Sequence, residues 1–263
     1  MTDSPDSQTA KAGESGELPG LRRRLLAGLL RHAPFDGWSE KALQAAARDE
    51  GVTPEMAAIA FPGGLLEVAE FYSRDADRQM VEAVLAALAA ANEPKVASHP
   101  GQDSATPGPG KLKIREKVAL AVRTRLLQQA PHREALRSLA SFLALPAHAG
   151  RAAAMLWRMV DAMWRAIGDR STDFNYYSKR ALLAGVYGST VLVWLDDRSE
   201  GAADSLAFLD RRIDDAMAFE RGKARWRQVL NGFFGRRAAG SRPGPRGSRP
   251  NHGSAGSGSP PPA

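Results

Sequence analysis

The sequence predicts an all-α protein, a bundle of helices without a sheet. Apolar residues recur at the three- and four-residue spacing of amphipathic helices, and no segment alternates convincingly with a period of two. The composition agrees, because aromatic residues, which favour strands, make up 7% of the chain, whereas alanine and leucine abound. The 263 residues, 43% of them apolar, suffice for one or two ordinary hydrophobic cores.

The N-terminal third predicts three short helices and a long one. Ser39 is a preferred N-cap residue, and Thr53 followed by Pro54 is a cap with a first-turn proline. Pro34 is expected to end the first helix and Gly51 the second. The predicted helices cover residues 21–33, 40–50, 54–60 and 65–91.

Five further helices are predicted in the remaining chain. Pro146 separates the second of them from the third, and Gly168 ends the third. The most apolar helix follows. These helices cover residues 112–129, 132–143, 149–167, 175–195 and 204–220.

Composition also divides the chain into domains. Polar stretches and stretches rich in Pro, Gly and Ser bury too little apolar surface to fold, so we expect residues 1–19, 94–110 and 236–263 to be disordered or flexible. Between them lie a helix-turn-helix module at 20–93, a helical domain at 111–221 and an amphipathic helix at 222–235.

The charge balance points to an anionic partner. The formal net charge is +7, with arginines crowded near the two ends of the chain, so nucleic acid and a membrane face are both candidates. The absence of cysteine excludes disulfides and metal sites built on thiolates. No secretory signal or transit peptide is expected, and the longest apolar run, residues 181–195, is too short to span a bilayer.

The first three predicted helices resemble a TetR-type DNA-binding domain. Val52 and Thr53 start the third helix and Phe61 closes it, with the spacing of that family. DNA affinity comes largely from cations at phosphates, yet Gly64 stands where those repressors carry a lysine, and helix 54–60 contains no cation. We therefore expect no nucleic-acid binding and interpret the module as a scaffold that packs Met56, Ile59 and Phe61 inward.

Two longer stretches resemble the ninth coenzyme Q biosynthesis protein family. One is residues 32–39, His-Ala-Pro-Phe-Asp-Gly-Trp-Ser, and the other is residues 168–180, Gly-Asp-Arg-Ser-Thr-Asp-Phe-Asn-Tyr-Tyr-Ser-Lys-Arg. The second string, which is highly specific, continues through residues 183–195 and 208–213, and the resemblance covers roughly residues 21–220.

This resemblance implies a TetR-like fold, a tendency to form homodimers and an isoprenoid or other lipid bound in a cavity of the C-terminal domain. It also implies assistance to the di-iron hydroxylase that acts on demethoxyubiquinone. The family's partner-binding surface maps onto Tyr176 and Tyr177, followed by Lys179 and Arg180. This chain has Tyr176 where relatives often carry tryptophan.

The candidate lipid-binding residues lie on the helices at 149–167 and 175–195. A small-residue stripe that includes Ala184 and Gly188 indicates either close helix packing or a cavity, and the methionines and tryptophans opposite it suit both a malleable wall and an ordinary core. The candidates are Trp157, Met159, Met163, Trp164, Ala184, Gly188 and Val191.

The segment 222–235 is typical of a helix that lies in a membrane interface. Bulky apolar residues recur on one face, and lysines and arginines surround it. The alternative is a last helix packed on its own domain. The candidate membrane-contact residues are Trp226, Val229, Leu230, Phe233 and Phe234.

No pattern indicates catalysis. The five histidines are scattered, and neither His-Glu-x-x-His, Glu-x-x-His nor a phosphate-binding glycine loop occurs. We therefore expect no enzyme, metal or cofactor, but a lipid-binding accessory protein of ubiquinone synthesis, peripheral on the cytoplasmic side of a bacterial inner membrane. The alternatives are a ligand-responsive TetR-type repressor and an interaction protein with no ligand.

Overall fold

The computed structural model describes residues 6–92, 112–169 and 174–219, and every regular element in these ranges is helical. The all-α prediction is thus confirmed for the described chain. The N-terminal helices are α1 Asp6–Asp36, α2 Glu40–Asp49, α3 Pro54–Ala60 and α4 Gly64–Asn92. The C-terminal helices are α5 Ile114–Gln129, α6 Arg133–Leu143, α7 Ala149–Ala166, α8 Phe174–Asp196 and α9, residues 203–219.

The caps that the sequence predicted form as expected. The hydroxyl of Ser39 accepts a hydrogen bond from the backbone N–H of Ala42 at 3.3 Å, and Thr53 accepts one from Met56 at 3.3 Å. Between α2 and α3 the chain turns through Gly51, whose φ of +65° is in the region that favours glycine. These local signals fix the bounds of α2 and α3.

Helix α1 differs from its prediction at both ends. It begins at Asp6, inside the segment 1–19 that we expected to be disordered, and residues such as Gln8, Ala10 and Lys11 are compatible with helix. It also continues through Pro34, which the sequence analysis placed beyond its end. Pro34 is exposed near the end of the helix, so water can hydrogen-bond the carbonyl that its missing N–H leaves free.

The helices pack around one continuous core. Helix α1 packs on α2 and α6, α4 packs on α5 and α7, and α7 packs on α8. Buried residues from α1 through α9 belong to the same hydrophobic cluster. The described residues up to Ala218 accordingly form one compact unit, so the helix-turn-helix module shares its core with the C-terminal helices.

Helix α3 corrects one expectation about the scaffold. Phe61 is 2% exposed and packs edge-on against Phe71, with ring centroids 5.8 Å apart. Met56 and Ile59, however, are 45% and 59% exposed, so the prediction that they pack inward is wrong. The reason is that α3 has only seven residues, and its buried face consists of Ala57 and Ala60.

Among the described helices, none has by itself the length and apolar character needed to cross a membrane; one pair, Ile114–Leu143 with Pro146–Ala166, meets those criteria jointly but is bent by 91°. The linker 94–110, the amphipathic segment 222–235 and the tail 236–263 lie outside the described residues. So do the five candidate membrane-contact residues.

Candidate functional site

Three aromatic side chains of α7 and α8 form an aromatic patch, defined here as Trp157, Tyr176 and Tyr177. The Trp157 and Tyr177 rings stack, with centroids 6.1 Å apart and an interplanar angle of 27°. Tyr176 meets Tyr177 edge-on at 5.0 Å. Tyr177 is 61% exposed, so the patch offers a flat amphipathic surface of the kind favoured at protein interfaces.

A buried arginine contacts the Tyr176 ring of the aromatic patch. Arg180 is 1% exposed, its guanidinium lies 3.4 Å from the Tyr176 ring centroid, and its Nε donates to Asp161 at 2.6 Å. The Tyr176 hydroxyl donates to the same carboxylate at 3.0 Å. Lys179 pairs with Asp169 at 2.8 Å. Arg180 is therefore placed to position Tyr176 rather than to be contacted itself.

A partly open cleft of about 180 Å³ lies among α4, α5, α6, α7 and α8. Most of its wall is aliphatic or aromatic, and the N-terminal half of α7 and the C-terminal half of α8 contribute many of the lining residues. Its apolar lining includes Leu136, Leu139, Leu143, Met155, Leu156, Met159, Val191, Trp194 and Leu195.

The structure does not bring all the candidate lipid-binding residues together. Met159 and Val191 line the cleft. Met163 and Trp164 are buried in the core instead, and the Trp164 indole donates to the carbonyl of Lys179 at 3.2 Å. Trp157 belongs to the aromatic patch. Of the small-residue stripe, Ala184 packs against the core, whereas a Cβ added at Gly188 would meet no heavy atom within 4 Å.

The cleft has a polar end that the sequence pattern did not predict. Gln129 donates to the Tyr72 hydroxyl at 3.1 Å, and Tyr187 lies beside Gln129 with their polar atoms 3.5 Å apart. Burial raises the pKa of Tyr72 to about 12 and also raises the pKa of Tyr187, while Arg125 opposes both shifts. The two phenols therefore remain protonated at neutral pH and can donate hydrogen bonds.

Arg125 joins this polar end to a buried carboxylate. Its Nη2 lies 3.2 Å from Asp77 Oδ1, and Arg158 Nε lies 3.4 Å from Asp77 Oδ2. Burial raises the pKa of Asp77, and the two guanidinium groups oppose that shift. A sequence signal existed: Arg125 and Gln129 interrupt the apolar face of α5 that Val118, Val122 and Leu126 define.

Larger surface grooves lie elsewhere, and the more charged of the two is less suited to an apolar guest. A groove of about 620 Å³ is lined chiefly by charged residues of α6 and of the turn after α8, and another of about 600 Å³ lies between α2 and α3. In the part of the chain described, no three histidine, aspartate or glutamate side chains are grouped to hold a metal ion. The cleft and the aromatic patch are therefore the candidate sites.

A comparison with solved structures matches the helical architecture. A TetR transcriptional regulator from Nitrosomonas europaea superposes with a TM-score of 0.55, covering 75% of this chain and 98% of that one. The two sequences are 18% identical, so the likeness concerns the fold alone. The TetR-like fold predicted from the sequence is thereby confirmed.

Sequence comparisons place this chain in a family. The COQ9 family model matches residues 149–220, which contain α7, α8 and α9. The chain is 32% identical to the mitochondrial ubiquinone biosynthesis protein COQ9 of Rattus norvegicus over 217 residues, 81% of this chain and 65% of that relative. It is also 32% identical to the human COQ9 protein, and that alignment covers 81% of this chain and 64% of the relative. The chain therefore spans just under two thirds of the length of these two relatives. It is also 31% identical to COQ9-B of Xenopus laevis, covering 69% of it. The chain belongs to the COQ9 family.

Proposed function

We propose that this chain is a non-enzymatic, lipid-binding accessory protein of ubiquinone biosynthesis. In this proposal it takes up an isoprenoid quinone precursor at the membrane and presents it to demethoxyubiquinone hydroxylase. Family membership supports the pathway, because the relatives are named ubiquinone biosynthesis proteins. The apolar cleft is the observation that carries the lipid-binding step.

The size of the cleft limits how a ligand fits. Pockets that enclose a drug-sized ligand measure roughly 300–1,000 Å³, and this cleft measures about 180 Å³. It can therefore hold one end of a long lipid while the rest emerges through its open side. Met155 and Met159 give it a wall that can adjust, since methionine side chains repack easily.

Bound lipid tests this step. Ala152 lines the cleft, whereas its neighbour Ala153 is exposed and lies outside it. We expect lipid extracted from the purified protein to contain isoprenoid quinones. Ala152→Phe should reduce the bound fraction several-fold by filling the cleft, and Ala153→Phe should leave it unchanged. Equal lipid content in both variants would count against the cleft as the binding site.

The aromatic patch is the surface that we propose for the hydroxylase. A central exposed aromatic residue is the usual energetic anchor of an interface, and truncating one typically weakens binding by about 2 kcal/mol, roughly 30-fold. Tyr177→Ala should produce such a loss in a binding assay with the hydroxylase. Leu127→Ala, which truncates a 50% exposed side chain on α5, is the matched control. Equal affinities for the two variants would exclude the patch.

We propose that segment 222–235, on the basis of its sequence pattern, contacts the membrane. In this proposal the membrane is the cytoplasmic face of a bacterial inner membrane, whereas the relatives are named as mitochondrial proteins. The full chain should float with phosphatidylglycerol vesicles, because basic and aromatic residues favour an anionic interface. Deleting residues 222–263 should abolish flotation and preserve the cooperative thermal unfolding of the remaining helices. Flotation of the truncated chain would contradict the assignment.

The second candidate function is DNA binding, which the shared fold of a TetR regulator favours. Helix α3 opposes it, because it presents exposed Met56 and Ile59 and the acidic Glu55. A gel-shift experiment with random and genomic fragments separates the two functions. Sequence-specific binding that persists at 200 mM salt would favour the repressor.

A further inference from the structure

The polar end of the cleft contains buried donors without acceptors. Arg125 is 3% exposed and lines the cleft, and its Nε and Nη1 atoms have no hydrogen-bond partner within the described ranges. Trp194, 1% exposed, lines the same cleft, and its Nε1 atom also finds no acceptor there. One buried acceptor beside them, Asp77 Oδ1, also has no hydrogen-bond partner in the described residues, so these donors outnumber the free acceptors. Buried donors without partners are unfavourable and uncommon, so this excess of donors favours a guest that supplies acceptors.

The charges around Arg125 favour a neutral or weakly anionic acceptor. Asp77 is shared between Arg125 and Arg158, so one carboxylate faces two guanidinium groups. The two guanidinium groups and the carboxylate together carry a net charge of +1. A phosphate dianion would bring more negative charge than this excess can balance, whereas a carbonyl oxygen needs only the directed N–H groups.

The neighbouring groups suit a ring that bears oxygen atoms. Tyr72, Tyr187 and Gln129 line the cleft together with Arg125, and their polar atoms lie close to one another. Aliphatic side chains from α6 and α7 line much of the rest. An isoprenoid tail offers no acceptor to these groups. A quinone ring offers carbonyl acceptors and two apolar faces, and it is small enough for a cleft of about 180 Å³.

We propose that Arg125, with Tyr187 and Gln129, binds a carbonyl oxygen of a quinone headgroup, so that the headgroup occupies the cleft and the tail emerges from it. This inference rests on the proposed function and specifies which end of the lipid the protein recognises. Arg125 supplies the directed donors, and the aliphatic wall packs on the ring.

Three short-chain probes, delivered in dilute detergent, test the headgroup. The first is a methoxylated benzoquinone that carries one decyl chain. The second is decylbenzene, which contains no oxygen, and the third is decyl phosphate. We expect the purified full chain to bind the quinone at least tenfold more tightly than either other probe. With ¹³C-labelled carbonyls, an infrared difference spectrum should show the C=O stretch of the bound quinone shifted to lower frequency by hydrogen bonding.

Variants of Arg125 and Arg158 test whether the guanidinium group of Arg125 causes the preference for the quinone. Arg125→Met should lower quinone affinity about tenfold and abolish the infrared shift, while decylbenzene binding stays unchanged. Arg125→Lys, which keeps the positive charge but loses the guanidinium donors, should also weaken quinone binding and covers the case in which the methionine variant does not fold. Arg158→Met is the matched control, because Arg158 contacts the same Asp77 but does not line the cleft.

Each remaining outcome overturns the inference. Equal affinities for quinone and decylbenzene would leave lipid binding intact but remove headgroup recognition. Tighter, Arg125-dependent binding of decyl phosphate would show an anion site instead. Equal quinone affinities in the wild type and in a folded Arg125→Lys variant would remove the guanidinium from the site. Binding of no probe, together with no extractable lipid, would overturn the proposed function as well.

Discussion

At the residue scale, Asp197 shows how one carboxylate can fasten two helices. It accepts hydrogen bonds from the backbone N–H groups of Ser199 and Ser205, each at 2.8 Å, and from both serine hydroxyls. Desolvation alone would raise the pKa of Asp197, but these hydrogen bonds together lower it well below its usual range. The ionised side chain thereby fixes the turn between α8 and α9.

We predict that Asp197→Asn lowers the free energy of unfolding by about 1.5–3 kcal/mol at pH 7, the range for hydrogen bonds to a charged group. Because the folded-state pKa is lowered, this stabilisation is fully present above the ordinary aspartate pKa of about 3.9 and is lost progressively as the pH falls from there through the folded-state pKa, so part of it is gone at pH 3. Urea unfolding at pH 7 and pH 3 measures the difference between wild type and variant.

The control for this prediction is Asp196→Asn, whose carboxylate is exposed and pairs with Arg137 at 2.6 Å. An exposed ion pair contributes at most about 1 kcal/mol, so this variant should differ little from wild type. A stability loss in Asp197→Asn that is equally large at pH 3 and pH 7 would show that its charge does not matter.

The sequence predicted an exposed aromatic side chain better than it predicted buried polar ones. Tyr176 and Tyr177 are adjacent on a helix and must point in different directions, and the exposure of Tyr177 agrees with an interface residue. The burial of Arg180 and Arg125 was not foreseen, because arginine is usually exposed. Their burial depends on Asp161 and Asp77, which lie 19 and 48 positions away in sequence, and such long-range pairing leaves no periodic pattern.

At the element scale, the contact between α1 and α2 gives a test of packing. A Cβ at Gly28 would lie 2.6 Å from the Cβ of Ala46 and 3.0 Å from its Cα, too close for either helix to remain in place. Overpacking in Gly28→Ala should therefore cost about 1–3 kcal/mol, offset in part by the roughly 1 kcal/mol that alanine gains over glycine in a helix, so we expect a net loss of stability. Chemical denaturation measures both contributions together.

Gly20 provides the matched control within the same helix. A Cβ there would meet nothing within 4 Å, so Gly20→Ala should increase the free energy of unfolding by up to about 1 kcal/mol. If both substitutions stabilised the protein, α1 and α2 would have to lie farther apart than the structure shows.

Helix positions were largely predictable, and the exceptions have local causes. Ser39, Thr53 and Gly51 fixed the bounds of α2 and α3 because capping and left-handed backbone depend on nearby residues alone. The prediction that α1 ends before Pro34 was wrong, because a proline near a solvent-exposed helix end destabilises the helix less than one in its interior. The apolar face of α3 was assigned to the core, but its exposure depends on how a seven-residue helix is oriented by its neighbours.

At the scale of the whole molecule, helical periodicity predicted the fold class, and family motifs predicted the TetR-like arrangement. The volume and outline of the cleft were not predictable, because they depend on how five helices fill the space between them. In the sequence, the methionines and tryptophans of α7 were compatible with either the wall of a cavity or an ordinary core. The structure shows both cases, because Met159 lines the cleft and Met163 is buried in the core.

The last prediction concerns assembly. Helix α8 exposes Ala181, Gly185 and Leu192 at the spacing of one helix face, and Leu192 is 67% exposed. Small residues let a second α8 approach closely, and a two-fold contact would place this face against itself. We therefore expect a homodimer whose mass, measured by light scattering after size-exclusion chromatography, is twice that of the chain. Two variants test this face. Leu192→Arg should convert the dimer to a monomer, because the interface would bury two unpaired charges. Leu85→Arg, at a 51% exposed position on α4, should leave the dimer intact. A monomeric wild type, or two variants with the same mass, would show that this face serves another purpose.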